Sequence, residues 1–416
     1  MENLDIKDGT SEWKRRVAIF LGSQTISLFG SSLVQYAIMW YITLETKSGA
    51  MMTISILCGF LPTLLLSPFA GVWADRFDRK KLIIFADSGI AITTLILAIS
   101  FLTGHGAVWQ LFVASALRAL GAAIQMPAVG AFLPQIVPED KLMRVNGING
   151  SIQSATMLIS PMVSGALLTF ASIEKIFFID VITAAIGVGI LAFFLKVEKP
   201  AGNEGPDGKK SLKPTYFGDM KVGLIYIWNH RFLKVFFGFS AVLLFLVAPA
   251  AFLTPLQVTR VFGSEVWRLT TLEVCFSLGM IAGGVALSIW GGFKNRAYTM
   301  VLGNGIMGIC TIALGMVNSF YAYLIYLGIF GIALTFFNTP SMVLIQEKVE
   351  EEYMGRVFGV MTMISSSMMP LGMLFFGPIA DKVSIEVILV VTGILISGSS
   401  FSMLRSDLCR LDHGSP

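Results

Sequence analysis

Apolar residues run through this chain in long blocks, and polar residues gather between the blocks instead of alternating with apolar ones. A membrane-crossing helix needs about 20 mainly apolar residues. Twelve stretches reach that length, at about 17–44, 50–74, 82–102, 107–133, 146–172, 176–196, 232–256, 267–291, 297–317, 320–345, 355–380 and 384–404. The separators carry charge or helix breakers. Thr103-Gly104-His105-Gly106 parts the third stretch from the fourth, and Gly291-Gly292-Phe293-Lys294-Asn295-Arg296 parts the eighth from the ninth. The first stretch is too long for a signal peptide and lacks a small-residue cleavage site at its end. The pattern predicts an all-α membrane protein of twelve transmembrane helices.

Lysine and arginine orient such a chain, because cytoplasmic loops carry the excess. With the N-terminus inside, the cytoplasmic segments hold 24 of them. The outer segments hold five: Lys47, Lys175, Arg260, Arg268 and Lys382. Arg118 lies within a span. This asymmetry predicts both termini in the cytoplasm, as an even number of spans requires.

The one long polar interruption is 197–231. Its first part, EKPAGNEGPDGKKSLKP, reads as a flexible linker. Its second part, FGDMKVGLIYIWNHRFL, mixes apolar and basic positions. Two readings stay open there: a short helix on the inner leaflet surface, or a solvated entry to the next span. The interruption divides the chain into an N-terminal six-helix half, 1–196, and a C-terminal half, 232–416.

The halves share a repeat. MPAVGAFLPQIVPEDKLMRVNG, Met126–Gly147, matches TPSMVLIQEKVEEEYMGRVFG, Thr339–Gly359, with one residue gapped. Pro127 pairs with Pro340, Glu139-Asp140 with Glu351-Glu352, and Arg144-Val145 with Arg356-Val357. Each copy falls at the cytoplasmic turn between the fourth and fifth helices of its half. Duplicated halves with a site between them are the plan of an alternating-access transporter.

Composition supports lipid as the surrounding solvent. Of 416 residues, 55% are hydrophobic and 13% charged, with mean hydropathy +0.76. A soluble chain carries roughly 25% charged residues. A cytosolic enzyme, a disulfide scaffold and a disordered protein are therefore excluded. The four cysteines and three histidines are scattered, so neither a metal site nor a disulfide framework is expected. No G-x-x-x-x-G-K-[ST], HExxH or GxSxG constellation occurs, which argues against a primary pump and an intramembrane enzyme. No catalytic residue and no cofactor are expected.

The strongest local signal is GVWADRFDRKK, Gly71–Lys81, between the second and third spans. Gly71 would permit close helix approach. Asp75 could sit near the positive N-terminal end of another helix. The basic residues could instead serve only to set topology. Arg118 lies 11 residues beyond Ala107, or about 16 Å into its span. An intramembrane arginine is costly and is a functional candidate by default. The alternative is a structural tie between helices. Three acids also lie within spans: Glu273, Asp180 and Asp87. A buried carboxylate could load and release a proton. Glu273 ranks first and Asp180 second, while Asp87 could equally be an interfacial partner of the basic loop. All three could be satisfied structural groups. Gln24, Gln35, Gln125, Gln153 and Asn338, with Tyr36, Trp40, Phe60, Phe245 and Phe252, could line a substrate cavity.

The loop resembles the signature of the major facilitator superfamily, G-x-x-x-D-R-x-x-R-[KR], through Gly71, Asp75, Arg76, Arg79 and Lys80. Asp78 stands where that loop often has glycine. The resemblance implies that Asp75 latches one side shut against Gly355-Arg356 at the start of the eleventh span. The second-half loop, GGFKNR, has no acid, which makes the latch one-sided. Arg118 and Gly121 match the family's R-x-x-G motif of proton-coupled members. Ser160-Pro161-Met162-Val163-Ser164-Gly165 resembles the antiporter motif GP-x-x-GG, with two glycines replaced by serine.

Across nearly the whole chain the sequence is similar to the macrolide-efflux branch of the twelve-span drug exporters. GFLPTLLLSPFAGVWADRFDRKK, IDVITAAI around Asp180 and LEVCFSLGMIAGG around Glu273 carry that similarity. It implies proton-driven export of hydrophobic drugs from the cytoplasm of a bacterium, across its inner membrane. The alternative is export of a siderophore or another endogenous metabolite. Small-molecule substrate, protons and the lipid bilayer are the expected partners, nucleic acid is not, and a monomer is expected. An accessory ATPase subunit is not readable from sequence. A non-transporting sensor or scaffold is disfavoured, since the chain carries no soluble output domain.

Overall fold

The computed structural model describes residues 2–195 and 216–405. Those residues form fourteen α-helices and no strand. The first six are α1 (Glu2–Thr46), α2 (Gly49–Arg76), α3 (Arg79–Leu102), α4 (Val108–Ile136), α5 (Leu142–Phe170) and α6 (Ile173–Phe194). Then come α7 (Tyr216–Asn229), α8 (Arg231–Phe252), α9 (Thr254–Val261), α10 (Val266–Trp290) and α11 (Arg296–Met316). The last are α12 (Phe320–Lys348), α13 (Glu351–Ile379) and α14 (Ile385–Arg405). Twelve spans are long and apolar enough to cross a membrane, with α8 and α9 together making one of them. The break inside that span has a local cause. Pro255, in the first turn of α9, has no N–H to continue the ladder from α8.

The chain divides into two compact units, Met1–Ile42 with Ile54–Lys210, and Thr43–Thr53 with Ser211–Pro416. In the first unit the core is built by α1, α3, α4 and α6. At one end Phe20, Ile83, Phe132, Leu133 and Leu191 pack together. At the other end Leu33, Ile38, Leu97, Leu111 and Phe177 do the same. Between the two apolar clusters the same four helices bury polar side chains. Lipid tails are as apolar as leucine, so small residues and close packing hold such helices together. Gly30 and Gly187 provide this on the α1–α6 contact. A Cβ on Gly187 would lie 2.8 Å from the Ser23 carbonyl oxygen, and one on Gly30 would overlap Thr183. Gly121 does the same for α4 against α3, where Ala86 O would be 3.3 Å away.

In the second unit α11 packs on α12 and α14, and α10 packs on α12. Glycine again sets the approach. A Cβ on Gly303 would meet Ala333 O at 2.7 Å and Phe337 N at 2.9 Å. Helix α7 lies in the second part of the polar interruption, and it rests on α13. Gly223 abuts the Arg356 backbone, and the Tyr226 ring stacks on Tyr353 with centroids 4.3 Å apart. The Pro-Gly-Lys-rich stretch before α7 lies outside the described residues.

The second unit also holds the segment that leads into α2. Asp381 accepts hydrogen bonds from Gly49 N at 2.8 Å, Ala50 N at 3.0 Å and Ser48 Oγ at 2.7 Å. These amides belong to the first turn of α2, whose N–H groups have no partner within the helix. Arg260 completes the cluster. It donates to Asp381 Oδ1 at 2.8 Å, to Ala380 O at 2.6 Å and to Lys47 O at 2.6 Å. Lys47 has φ +47°, a left-handed conformation that costs a residue with a Cβ and turns the chain from α1 into α2.

Candidate buried charge site in the first unit

The polar residues between the two apolar clusters form two levels. On α1 these are Gln24 and Ser31, on α3 Asp87 and Thr94, on α4 Arg118 and Gln125. Each pair is seven residues apart, close to two helical turns or about 10.5 Å along the axis. The level nearer the α3 C-terminus holds Ser31, Thr94, Arg118 and, from α6, Asp180. The level nearer the α3 N-terminus holds Gln24, Asp87 and Gln125.

The first level is built around an ion pair, with Arg118 Nε left without a partner. Arg118 is 5% exposed and Asp180 0%. Arg118 Nη1 lies 2.5 Å from Asp180 Oδ2. Arg118 also donates to the Thr94 hydroxyl and, through Nη2, to the Ser31 carbonyl at 3.0 Å. Ser31 Oγ donates to Asp180 Oδ1 at 3.1 Å, and Thr94 Oγ1 donates to Asp180 Oδ2 at 2.9 Å. Both carboxylate oxygens are therefore engaged. In a low-dielectric interior two charges persist only when paired and hydrogen-bonded in this way.

The second level is less complete. Gln125 Nε2 donates to Gln24 Oε1 at 2.9 Å. Gln24 lies next to Asp87, which is 3% exposed. Yet Asp87 Oδ2 and Gln24 Nε2 each lack a hydrogen-bond partner. Asp87 is thus buried among α1, α4 and α6 and does not pair with the basic loop. That loop is engaged elsewhere. Arg79 donates to Ala74 O and Ala131 O, both at 3.0 Å. Lys80 Nζ donates to Ala192 O at 3.1 Å and Leu195 O at 2.8 Å, where α6 ends and its carbonyls lack helical partners. Asp78 has a function that glycine could not supply, since its side chain accepts from Lys81 N and caps α3.

Other expected residues stand apart. Glu273, on α10 in the second unit, is half-buried and has no hydrogen bond or ion pair among the described residues. Gly71 does not mediate a close helix approach: nothing lies within 4 Å of a Cβ placed there. The same holds for Gly355. The side chain of Asp75 lies outside the described residues. Arg76 is exposed, and Arg356 lies over the Tyr353 ring at 5.6 Å. On α5, Ser160, Pro161, Ser164 and Gly165 are buried together, and Ser164 Oγ donates to Leu33 O of α1 at 3.0 Å. Of the expected cavity residues, Gln125 joins the second level. Gln35, Gln153 and Asn338 are exposed, and Tyr36 packs on Trp40 at 5.8 Å.

Charged residues buried within membrane spans mark by default a candidate functional site. The sequence model of the Major Facilitator Superfamily matches residues 20–373. The chain belongs to that superfamily. It is a multi-pass membrane transporter, not an enzyme. It is 29% identical over 388 residues to Macrolide efflux protein A of Streptococcus pyogenes, covering 93% of this chain and 94% of that protein. It is 30% identical over 328 residues to Macrolide efflux protein A of Enterococcus faecalis, covering 78% of this chain and all of that protein, 100%. Among solved structures the nucleoside transporter NupG superposes with a TM-score of 0.70 at 13% identity, covering 94% of this chain and 99% of that one. That likeness concerns the fold alone.

Sequence reasoning found Arg118, Asp180 and Asp87 singly. It missed Ser31, Thr94 and the pairing of Arg118 with Asp180. The seven-residue spacings were available in the sequence as a signal. It also missed the Arg260–Asp381 cluster, whose members lie far apart in the chain, one at the end of α9 and one in the turn after α13.

Proposed function

We propose that this protein exports hydrophobic drugs, macrolide antibiotics among them, across the bacterial cytoplasmic membrane in exchange for protons. Two six-helix halves, 1–196 and 232–416, joined by 197–231, alternate access to a central site. Both termini face the cytoplasm, as the lysine and arginine asymmetry supports. The protein acts as a monomer. The observation that carries the proton-coupled reading is the buried Arg118–Asp180 pair with Asp87 one level away. An apolar scaffold has no structural need for so costly a group of charges. The near full-length similarity to macrolide efflux proteins supports the substrate class.

In this reading Arg118 supplies a fixed positive charge inside the first unit, and membrane acids take up the proton that drives return. Glu273 serves in the second unit as an unpaired acid. Ser160, Pro161 and Gly165 keep α5 close against α1. Gln35, Tyr36, Gln153 and Asn338 contact the drug. Gly71, Asp75, Arg76, Arg79, Gly355 and Arg356 govern closure on the cytoplasmic side.

The test is expression in an efflux-deficient host, followed by a susceptibility and accumulation panel with and without a protonophore. Lower accumulation of macrolides, abolished by the protonophore, is the expected result. Unchanged macrolide accumulation with export of a catecholate siderophore would replace the drug reading by the metabolite one.

A further inference from the structure

The two units carry the same polar register, and only the first carries charge at the matched positions. Helices α3 and α11 both begin at an arginine, Arg79 and Arg296, each preceded by a capping acid or amide, Asp78 or Asn295. Counted from there, Asp87 and Asn304 are both the ninth residue, and Thr94 and Thr311 both the sixteenth. Helices α6 and α14 both begin at isoleucine, Ile173 and Ile385. Asp180 and Thr392 are both the eighth residue, and Gly187 and Ser399 both the fifteenth. On α12 the place of Arg118 falls at Phe330 by counting from the helix start, or at Gly331 by counting back from Pro340. Neither is charged. Asn304, Thr311 and Thr392 are buried, as Asp87, Thr94 and Asp180 are.

The uncharged copy gives the residue at this level a side-chain partner on the neighbouring helix, although Asn304 Oδ1 has no partner of its own. Asn304 Nδ2 donates to Ser399 Oγ at 3.0 Å. In the first unit the position of that serine is Gly187, which has no side chain to offer. None fits there, because a Cβ would press on the Ser23 carbonyl at 2.8 Å. The partner of Asn304 has thus been removed from the level that holds Asp87. What remains is a buried carboxylate whose Oδ2 has no partner, next to Gln24, whose Nε2 has none either. The Asp180 carboxylate, by contrast, is held at both oxygens by Arg118, Thr94 and Ser31.

We propose that the two acids divide their labour, with Asp87 binding and releasing the coupling proton at Oδ2 and Arg118–Asp180 remaining a fixed ion pair. This rests on the reading of the protein as a proton-coupled exporter. The step is one proton added to one carboxylate oxygen and later given up, with no other bond made or broken. The charged group that acts on Asp87 is Asp180 of α6, itself paired with Arg118 of α4, while α1 contributes only the neutral Gln24. Proton binding at Asp87 changes the charge next to the fixed pair, and that change is available to bias the two conformations of the transport cycle.

Purified full-length protein in liposomes, with radiolabelled erythromycin as probe, tests the proposal. Two quantities are measured: exchange of labelled for unlabelled erythromycin without a gradient, and uphill uptake driven by a pH gradient. Asp87→Asn places at this level the residue type that the second unit buries at the same register. It should lower the ratio of uphill uptake to exchange about tenfold or more, the scale of a thermodynamic coupling between two ligands. Exchange in that variant should no longer vary with pH. Asp87→Glu, which keeps a carboxyl, should recover part of the ratio with a displaced pH profile. It also carries the test if Asp87→Asn fails to fold by thermal melting. A wild-type ratio in Asp87→Asn, or Glu and Asn variants that fold and behave alike, would overturn the proposal while leaving drug export intact. Wild-type protein that exchanges no erythromycin would instead overturn the drug-export reading on which it rests.

Discussion

Arg118 and Asp180 form an ion pair at 2.5 Å in the middle of the first unit, although they lie on different helices and 62 residues apart in the chain. Removing one member leaves the other charged and buried without its partner. For a buried pair that costs about 3–5 kcal/mol, whereas replacing both charges with apolar groups is often near neutral. Arg118→Leu and Asp180→Leu should therefore each lower the melting temperature in detergent strongly, and the double variant should lower it less than either. A double-mutant cycle in which the two losses simply add would argue that the pair is not coupled. Uphill transport should be lost in all three, including the better-folded double variant.

Asp381 ties the start of α2 to Arg260, and this tie is sensitive to pH in a defined direction. Burial pushes the Asp381 carboxyl up, but the hydrogen bonds from Ala50 N, Ser48, Gly49 N and Arg260 outweigh it and hold it below its ordinary value. A carboxylate depressed in the folded state adds stability that is present above its unfolded value and lost as pH falls through its folded value. Melting temperature should fall on acidification through and below the ordinary aspartate range. Asp381→Asn should flatten part of that fall. At neutral pH, Asp381→Ala should cost about 1 kcal/mol, as loss of a helix N-cap does. A wild-type and Asp381→Asn pair with parallel pH profiles would contradict the assignment.

Two glycines that look alike in sequence should behave differently. Gly187→Ala drives a methyl group against the Ser23 backbone at 2.8 Å and should destabilise by about 1–3 kcal/mol, the usual cost of overpacking. Gly71→Ala meets nothing within 4 Å and should leave the melting temperature almost unchanged. Thermal melts of the two variants in the same detergent decide this. A loss at Gly71 equal to that at Gly187 would restore the close helix approach that the sequence suggested for Gly71.

Much of the fold was legible because lipid imposes a simple rule. A helix must be about 20 apolar residues long to cross, and twelve blocks of that length became twelve spans. The break at Leu253–Thr254 was less legible, because the apolar run continues across Pro255 and only the missing N–H interrupts the helix. Single intramembrane charges were legible too, since each of Arg118, Asp180 and Asp87 stands out against apolar neighbours. Their grouping was not. It depends on α3, α4 and α6 meeting side by side, which no local pattern states. The seven-residue spacings of Gln24 with Ser31 and Asp87 with Thr94 hinted at shared faces, but glutamine, serine and threonine are common enough in spans to pass unnoticed. Glu273 ranked first from sequence as an acid lying within a span. The structure leaves it alone there, and places the connected charges in the other unit. Gly71 fits the family loop, yet nothing lies within 4 Å of a Cβ placed there.

Proton movement by the transporter itself tests the central claim most directly. In inverted membrane vesicles energised to a stable pH gradient, adding erythromycin should dissipate part of the gradient when the wild-type protein is present. The response should vanish in Arg118→Ala vesicles that contain equal amounts of folded protein. An unchanged gradient with wild-type protein, while labelled erythromycin still crosses the membrane, would contradict proton-coupled export.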